Sequence, residues 1–503
     1  MQLIPHFIQG QTTAGTGPRR GPVFNPSTAR QQADCAYADR ATLDQAVASA
    51  VAAGRHWARA SHNARQQVVF KMRELVLRDI DALARLIGQE HGKTFADARG
   101  EVSRGIEALE FATAAPVVTK GEYSRNVGGG IDVYSVRQPV GVVGCITPFN
   151  FPVMIPLMMG AMAIATGNAV VLKPSEKVPS SALALARLWQ EAGLPDGVWN
   201  VVNGDKEVVD ALLQHPDVPA ISFVGSTAIG EYVYRQGTAH NKRVGSYTGG
   251  KNHMVVLEDA DLEAAADAFV SAGYGSASQR CMAVSLLVAV GDTTAERLRA
   301  LLLPRIQALK VGAYDDAQAD YGPLVSADAK RAVLRAVEQC LGDGAQMVID
   351  GRGLRVPGHE DGFFVGPTLL DGVTPAMDFY KQEVFGPVRG LMRVASLDEA
   401  ITLTNSHEYG NGAVIFTRDG RAASRFVGEV EAGMIGVNVP VPVPVGYYNF
   451  GGLRRSKFGE AHMFGPDAAR FYTKLKTVSQ RWPEPQAGRP ATQASSLAFA
   501  PNA

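Results

Sequence analysis

Five short groups of residues in this 503-residue chain carry side chains suited to covalent or electrostatic chemistry. The first is Ser276-Ala277-Ser278-Gln279-Arg280-Cys281-Met282-Ala283, where a lone cysteine stands beside an arginine among small residues. A cation beside a thiol favours the thiolate, and small neighbours leave room for an electrophile, so Cys281 is a candidate nucleophile. Taken alone, the segment reads more readily as a buried structural cysteine that follows a surface arginine.

In Thr147-Pro148-Phe149-Asn150-Phe151-Pro152, two prolines hold an amide between aromatics. Asn150 there suits a developing oxyanion, or merely satisfies a polar turn. Lys173 and Glu176, in Leu172-Lys173-Pro174-Ser175-Glu176-Lys177, suit a ribose and its phosphate, or are solvated charges of a proline turn. Phe223-Val224-Gly225-Ser226-Thr227-Ala228-Ile229-Gly230 opens a helix whose N–H groups suit a pyrophosphate, although it is not the G-x-G-x-x-G fingerprint. Gln382-Glu383-Val384-Phe385-Gly386-Pro387 puts a carboxylate beside a rigid turn.

The elements that must position these groups follow from apolar periodicity. Residues 1 to about 30 read as extended and turn-rich, and helical patterning dominates from 41 to about 115. Thr42 is the expected cap of the first helix, and Arg104 alone reads as a solvated helix charge. A half-exposed strand is predicted over 131–136. Apolar runs at 140–146, 169–172, 198–202, 220–224 and 243–247 then alternate with helical stretches at 154–166, 180–193, 206–214 and 227–237. A second such series runs from 253 to about 439, with a strand at 285–290 and a helix near 293–308. Two α/β blocks predict two parallel sheets and a ligand cleft outside the carboxyl ends of their strands. A flexible tail is expected over 482–503, which is rich in Pro, Ala, Ser and Gln.

Composition narrows the partners. With 49 basic and 49 acidic residues and no basic stripe, no nucleic-acid partner is expected. The four cysteines are far apart in sequence, which argues against a disulfide framework or a cysteine metal site, and no metal is expected. The apolar stretch 151–171 is broken by Pro152, Pro156, Gly160 and Gly167, so it reads as a core passage rather than a membrane span. No basic-then-apolar leader pattern opens the chain, and the expectation is a cytoplasmic protein.

In their order and spacing, the five groups resemble the aldehyde dehydrogenase superfamily over about residues 25 to 478, including Lys310-Val311-Gly312 and Tyr321-Gly322-Pro323-Leu324. The resemblance implies an α/β, aldehyde dehydrogenase-like fold with two parallel-sheet α/β domains and a small β oligomerisation segment. By that likeness the NAD-binding domain covers 1–120 and 142–247, the catalytic domain 248–440, and the oligomerisation segment 121–141 and 460–481. A homotetramer, a dimer of dimers, is implied as well. Cys281 would be the nucleophile and Asn150 the oxyanion amide. Lys173 and Glu176 would hold the adenosine ribose, Ser226 the pyrophosphate and Glu383 the nicotinamide ribose. Thr147, Phe149, Lys177 and Thr248 would complete the cofactor site, and Cys145, inside an apolar strand, would only pack. NAD is expected over NADP because Glu176 repels a 2′-phosphate, an argument softened by Lys173 and Lys177.

One departure narrows the chemistry. Hydrolytic members of the superfamily carry Glu-Leu-Gly-Gly-Lys, whose glutamate activates water; the matching residues here are Tyr247-Thr248-Gly249-Gly250-Lys251. A tyrosine with a pKa near ~10 is a poor base at neutral pH, so a thioester on Cys281 would wait for a better nucleophile. That behaviour belongs to the CoA-acylating branch, the methylmalonate-semialdehyde dehydrogenases. Gly250-Lys251-Asn252-His253, Gly410-Asn411-Gly412, the segment 436–444 and Phe471-Tyr472-Thr473-Lys474-Leu475-Lys476-Thr477 are similar to that branch. The pattern is kept less well at Gly446-Tyr447-Tyr448, which leaves the aldehyde open. The likeness implies coenzyme A as co-substrate and makes Arg104 and Arg280 a clamp for the substrate carboxylate. It further implies oxidation of methylmalonate or malonate semialdehyde to propionyl-CoA or acetyl-CoA with decarboxylation, in valine, inositol or β-alanine breakdown. A hydrolytic dehydrogenase using another base is the near alternative, and a non-catalytic protein on the same scaffold the distant one.

Overall fold

The computed structural model describes residues 2–482, so the tail predicted over 482–503 lies, except for Trp482, outside the described residues. Two mixed sheets with parallel centres form the frame. The eight-stranded sheet runs in the order Lys457–Phe458, Arg243–Tyr247, Ala220–Val224, Val142–Ile146, Ala169–Lys173, Trp199–Val201, His6–Ile8 and Gln11–Thr13. Its five central strands are parallel; the outer ones at both edges are antiparallel. The expected purely parallel sheet is thus corrected at its rims. There, segments distant in sequence close the edges with short strands, which limits unpaired backbone.

The seven-stranded sheet runs in the order Gln346–Ile349, Thr368–Asp371, Val388–Val394, Val284–Val290, Asn252–Val256, Gly412–Phe416 and Met434–Val437. Only Gln346–Ile349 is antiparallel. The central strands of both sheets are almost wholly buried, which is why they read as unbroken apolar runs rather than alternating ones. A third, three-stranded antiparallel sheet joins Thr473–Gln480, Ile131–Pro139 and Tyr123–Gly128. Most of its residues are exposed or only half-buried, including Tyr123 and Leu475.

Four helices, Arg40–Trp57, His62–Arg78, Ile80–His91 and Phe95–Ala112, fill the predicted helical region. The first is capped by Asp39 and not by Thr42: the Asp39 carboxylate accepts the Thr42 N–H at 2.9 Å. The cap belongs one turn earlier because a carboxylate before the helix reaches its free first-turn donors. Helix Met154–Ala165 is apolar all round and buried, as a central core helix must be. No helix among the described residues is long and apolar enough to cross a membrane.

The strand order explains why the sequence groups meet. Four adjacent parallel strands of the larger sheet end, side by side, at Ile146, Lys173, Val224 and Tyr247. The second sheet differs from expectation. Asn252 starts its strand, whereas Cys281, Glu383 and Asn411 lie just before Val284–Val290, Val388–Val394 and Gly412–Phe416. Its amino edge faces the site, opposite the carboxyl edge of its partner.

Candidate active site

A cleft of about 1120 Å³ lies where the two edges meet. Cys281, Asn150 and Glu383 line it together with Thr147, Phe149 and Thr248, and so do Lys173, Glu176, Lys177 and Ser226. Ten of the twelve residues singled out from sequence therefore share one cavity. Arg104 lines a separate small cavity of about 30 Å³, with Met154, Met158 and Met162, and Arg280 lies outside the cleft lining.

The donor set fits a dinucleotide. Lys173 is buried, which lowers its pKa, and Glu176 opposes this from 3.5 Å. Ser226 precedes helix Thr227–Ala239 in extended conformation and makes no side-chain cap bond, which leaves its hydroxyl and the first-turn N–H groups for an anion. Glu383 accepts the Gly250 N–H at 3.1 Å, and burial pushes its carboxyl up to about 7. Gly249 leaves room for this arrangement: a Cβ there would crowd the Glu383 carboxylate and meet Thr227 Oγ1 at 2.9 Å. Among the described residues, no group of three or more His, Cys, Asp or Glu side chains is placed to hold a metal.

The nucleophile loop is strained and tightly tied. Ser276, Ala277 and Ser278 are consecutive left-handed residues (φ 58°, 51° and 59°), a conformation that side-chain-bearing residues disfavour. Tertiary bonds hold it: Gln279 Nε2 donates to Pro323 O at 3.2 Å, and Gln279 Oε1 accepts the Val325 N–H at 3.0 Å. The Cys281 carbonyl accepts both Asn252 Nδ2 and Asn411 Nδ2 at 2.9 Å. Asn150 Nδ2 donates one N–H to Gln279 O at 3.0 Å, which leaves its second available.

Arg280 does not activate the thiol, which corrects the first expectation for this pair. Burial, followed by the Glu383 charge, pushes the Cys281 thiol up to about 12, opposed by the N–H groups of Cys281 and Met282. The Arg280 guanidinium instead packs on Gly275, where a Cβ would sit 2.8 Å from Nη1, and pairs with Asp97 at 2.5 Å. Arg104 Nη1 pairs with Glu107 at 2.8 Å, and its Nη2 donates to Pro444 O at 2.9 Å. Neither arginine is a free surface charge; each is held by an acid of helix Phe95–Ala112. One N–H-rich edge of Arg280 is left over, because Asp97 bonds Nη2 alone.

Tyr247 is buried, its pKa well above the ordinary value through that burial, and its hydroxyl donates to Phe450 O at 3.0 Å. Its ring stacks on Phe464 at 5.2 Å, and it does not line the cleft. Cys145 is buried packing inside its strand.

Sequence reasoning missed several residues. Asn252 and Asn411 sat in matching motifs without a role, and Asp97 and Glu107 were not seen as arginine partners. Lys93 and Glu101, an ion pair of 2.7 Å with side chains 0% and 1% exposed, lie directly behind Asn150. The available signal was the spacing of Asp97, Glu101 and Arg104, which places three charges on one helix face.

The chain is similar to a malonate-semialdehyde dehydrogenase of Pseudomonas aeruginosa, at 52% identity covering 99% of both chains. It is 43% identical to an acylating, mitochondrial methylmalonate-semialdehyde dehydrogenase of Arabidopsis thaliana, over 95% of this chain and 79% of that one. A solved Sinorhizobium meliloti structure, described as a candidate methylmalonate-semialdehyde dehydrogenase and complexed with NAD, superposes with TM-score 0.95 at 48% identity, covering 96% of this chain and 99% of that one. The sequence profile of the aldehyde dehydrogenase family matches residues 13–478. With a cysteine, an amide and a dinucleotide-shaped donor set in one cleft, and that match over most of its length, the chain belongs to the aldehyde dehydrogenase family.

Proposed function

We propose that this protein oxidises malonate semialdehyde or methylmalonate semialdehyde with NAD and transfers the acyl group to coenzyme A. The observation that carries the reading is Tyr247: it stands where hydrolytic relatives place a carboxylate, and its hydroxyl is occupied by Phe450 O. The names of the Pseudomonas and Arabidopsis relatives support the substrate class, and the second of them supports acylation.

The Cys281 sulfur attacks the aldehyde carbon. The free N–H of Asn150, with a backbone N–H near Cys281, stabilises the oxyanion of the resulting thiohemiacetal. Protonating Glu383 removes the second cause that keeps the thiol protonated and so favours the thiolate. NAD, when bound, accepts the hydride. What remains on Cys281 is a thioester with no tyrosinate or carboxylate at position 247 to activate water. The thiolate of coenzyme A attacks its carbonyl and Cys281 leaves as thiolate, which restores the enzyme. Arg104 and Arg280 hold the substrate carboxylate. Before release its C–C bond breaks, carbon dioxide (hydrated to bicarbonate) departs, and the bonding pair enters the thioester enolate. A proton from solvent at that carbon completes the group released as acetyl-CoA or propionyl-CoA.

Within this reading, segments 1–120 and 142–247 hold NAD and 248–440 carry the chemistry. Pairing through the sheet of segments 121–141 and 460–481 builds a homotetramer, in the cytoplasm. The NAD preference rests on Glu176 at the cleft. One observation favours a hydrolytic outcome as a second reading: Glu383 faces the cleft with a carboxyl poised at about 7. Product analysis separates the two. Acyl-CoA formed in step with NADH is expected; equal NADH and free acid with and without coenzyme A would establish hydrolysis instead.

A further inference from the structure

Helix Phe95–Ala112 directs Asp97, Glu101 and Arg104 from one face, at spacings of four and three residues. Each reaches a different part of the site: Asp97 the Arg280 guanidinium, Arg104 the carbonyl of Pro444, and Glu101 the segment that carries Asn150. The middle contact is the most buried. Lys93 Nζ donates to Glu101 Oε2 at 2.7 Å and to the backbone carbonyl of Asn150 at 2.7 Å. It also lies 4.2 Å from the centroid of the Phe151 ring. Glu101 Oε1 accepts the N–H groups of Val153 at 2.9 Å and Met154 at 3.2 Å, where helix Met154–Ala165 begins. Residues 150–154 are thus gripped from behind at both ends, while the Asn150 amide faces the nucleophile loop through Gln279 O.

We infer that Lys93 and Glu101 are a positioning pair for the Asn150 amide. A buried ion pair is a weak device for stability, since apolar residues of similar volume usually serve as well or better. What charge-assisted bonds add is a fixed geometry. An oxyanion donor needs that, because its value depends on being aimed before the charge develops. The inference rests on the oxyanion role given to Asn150 under the proposed function.

The test is a double-mutant cycle read by single-turnover NADH formation on the full-length protein with semialdehyde and NAD. Asn150→Ala is expected to lower the rate by about 10²–10³-fold. Lys93→Met is expected to lower it by about 10–100-fold, with the KM for NAD changed by less than about twofold and partial rescue by Lys93→Arg. In the Asn150→Ala background, Lys93→Met should lower the rate by less than about threefold, because the group it positions is gone. If the two losses multiply, or if KM for NAD rises with them, the pair is structural and the inference falls. Should Lys93→Met fail to fold, Glu101→Gln enters the same cycle, since it removes the charge and keeps an acceptor for Val153 N–H. If Asn150→Ala leaves the rate unchanged, the oxyanion assignment itself is wrong.

Discussion

Residues 150–154 separate two unlike regions. On the cleft side the groups stand open, ready for ligands: Glu383 holds one backbone N–H, Ser226 caps nothing with its side chain, and the Asn150 amide keeps one donor free. On the side of helix Phe95–Ala112 every charge is already matched, Lys93 by Glu101, Arg280 by Asp97 and Arg104 by Glu107. The first region is built from strand ends, where backbone and side-chain donors point into solvent. The second is built from ion pairs, two of which also hold backbone groups in place: Lys93–Glu101 around Asn150 and Arg104–Glu107 at Pro444. Open polar groups stand on one side of the segment and paired charges on the other.

That division can be broken by experiment. The largest expected effect concerns the thiol. With its pKa pushed up to about 12 by burial and then Glu383, Cys281 in the cofactor-free protein should react with iodoacetamide at a rate rising about tenfold per pH unit from about pH 7 to about 10. Glu383→Gln should raise the rate at neutral pH. A plateau near about pH 8 would mean that an adjacent cation, and not burial, sets the thiol.

A smaller effect tests the paired side. Arg280→Ala should reduce the preference for carboxylated over uncharged aldehydes by about 10–100-fold, the worth of one or two hydrogen bonds to a charged group. Competition kinetics between malonate semialdehyde and an uncharged aldehyde measure it, and an unchanged ratio would leave Arg280 a purely structural partner of Asp97. The smallest effect belongs to Tyr247→Phe. Losing the bond to Phe450 O should cost about 1 kcal/mol in urea unfolding and leave CoA-dependent turnover as it was. A drop in turnover would give Tyr247 a part in the chemistry that its position away from the cleft denies.

The cleft was legible in the sequence because each of its parts is local. A strand, a turn and the first residues of a helix lie within ten positions of one another, so Asn150, Lys173, Glu176 and Ser226 stand out where they act. The two sheets were legible for the same reason, as buried strands read as short apolar runs. Their antiparallel rims were not, since His6–Ile8 and Lys457–Phe458 reach one sheet from opposite ends of the chain. Nor was the cap at Asp39, which lies three residues before the expected Thr42 and is told from it only by which side chain meets the first free N–H groups.

By itself the sequence determined the kind of chemistry: a cysteine, an amide, a dinucleotide donor set, and a tyrosine where a base would stand. Those are properties of residue types at fixed positions. What Arg280 does beside Cys281 follows instead from a contact distant in the chain. Adjacent in sequence, the two side chains diverge because Gly275 leaves room for the guanidinium and Asp97, on a distant helix, supplies its counter-charge. The thiol is left to burial and to Glu383, and its ionisation is a property of the cleft rather than of its neighbour in the chain.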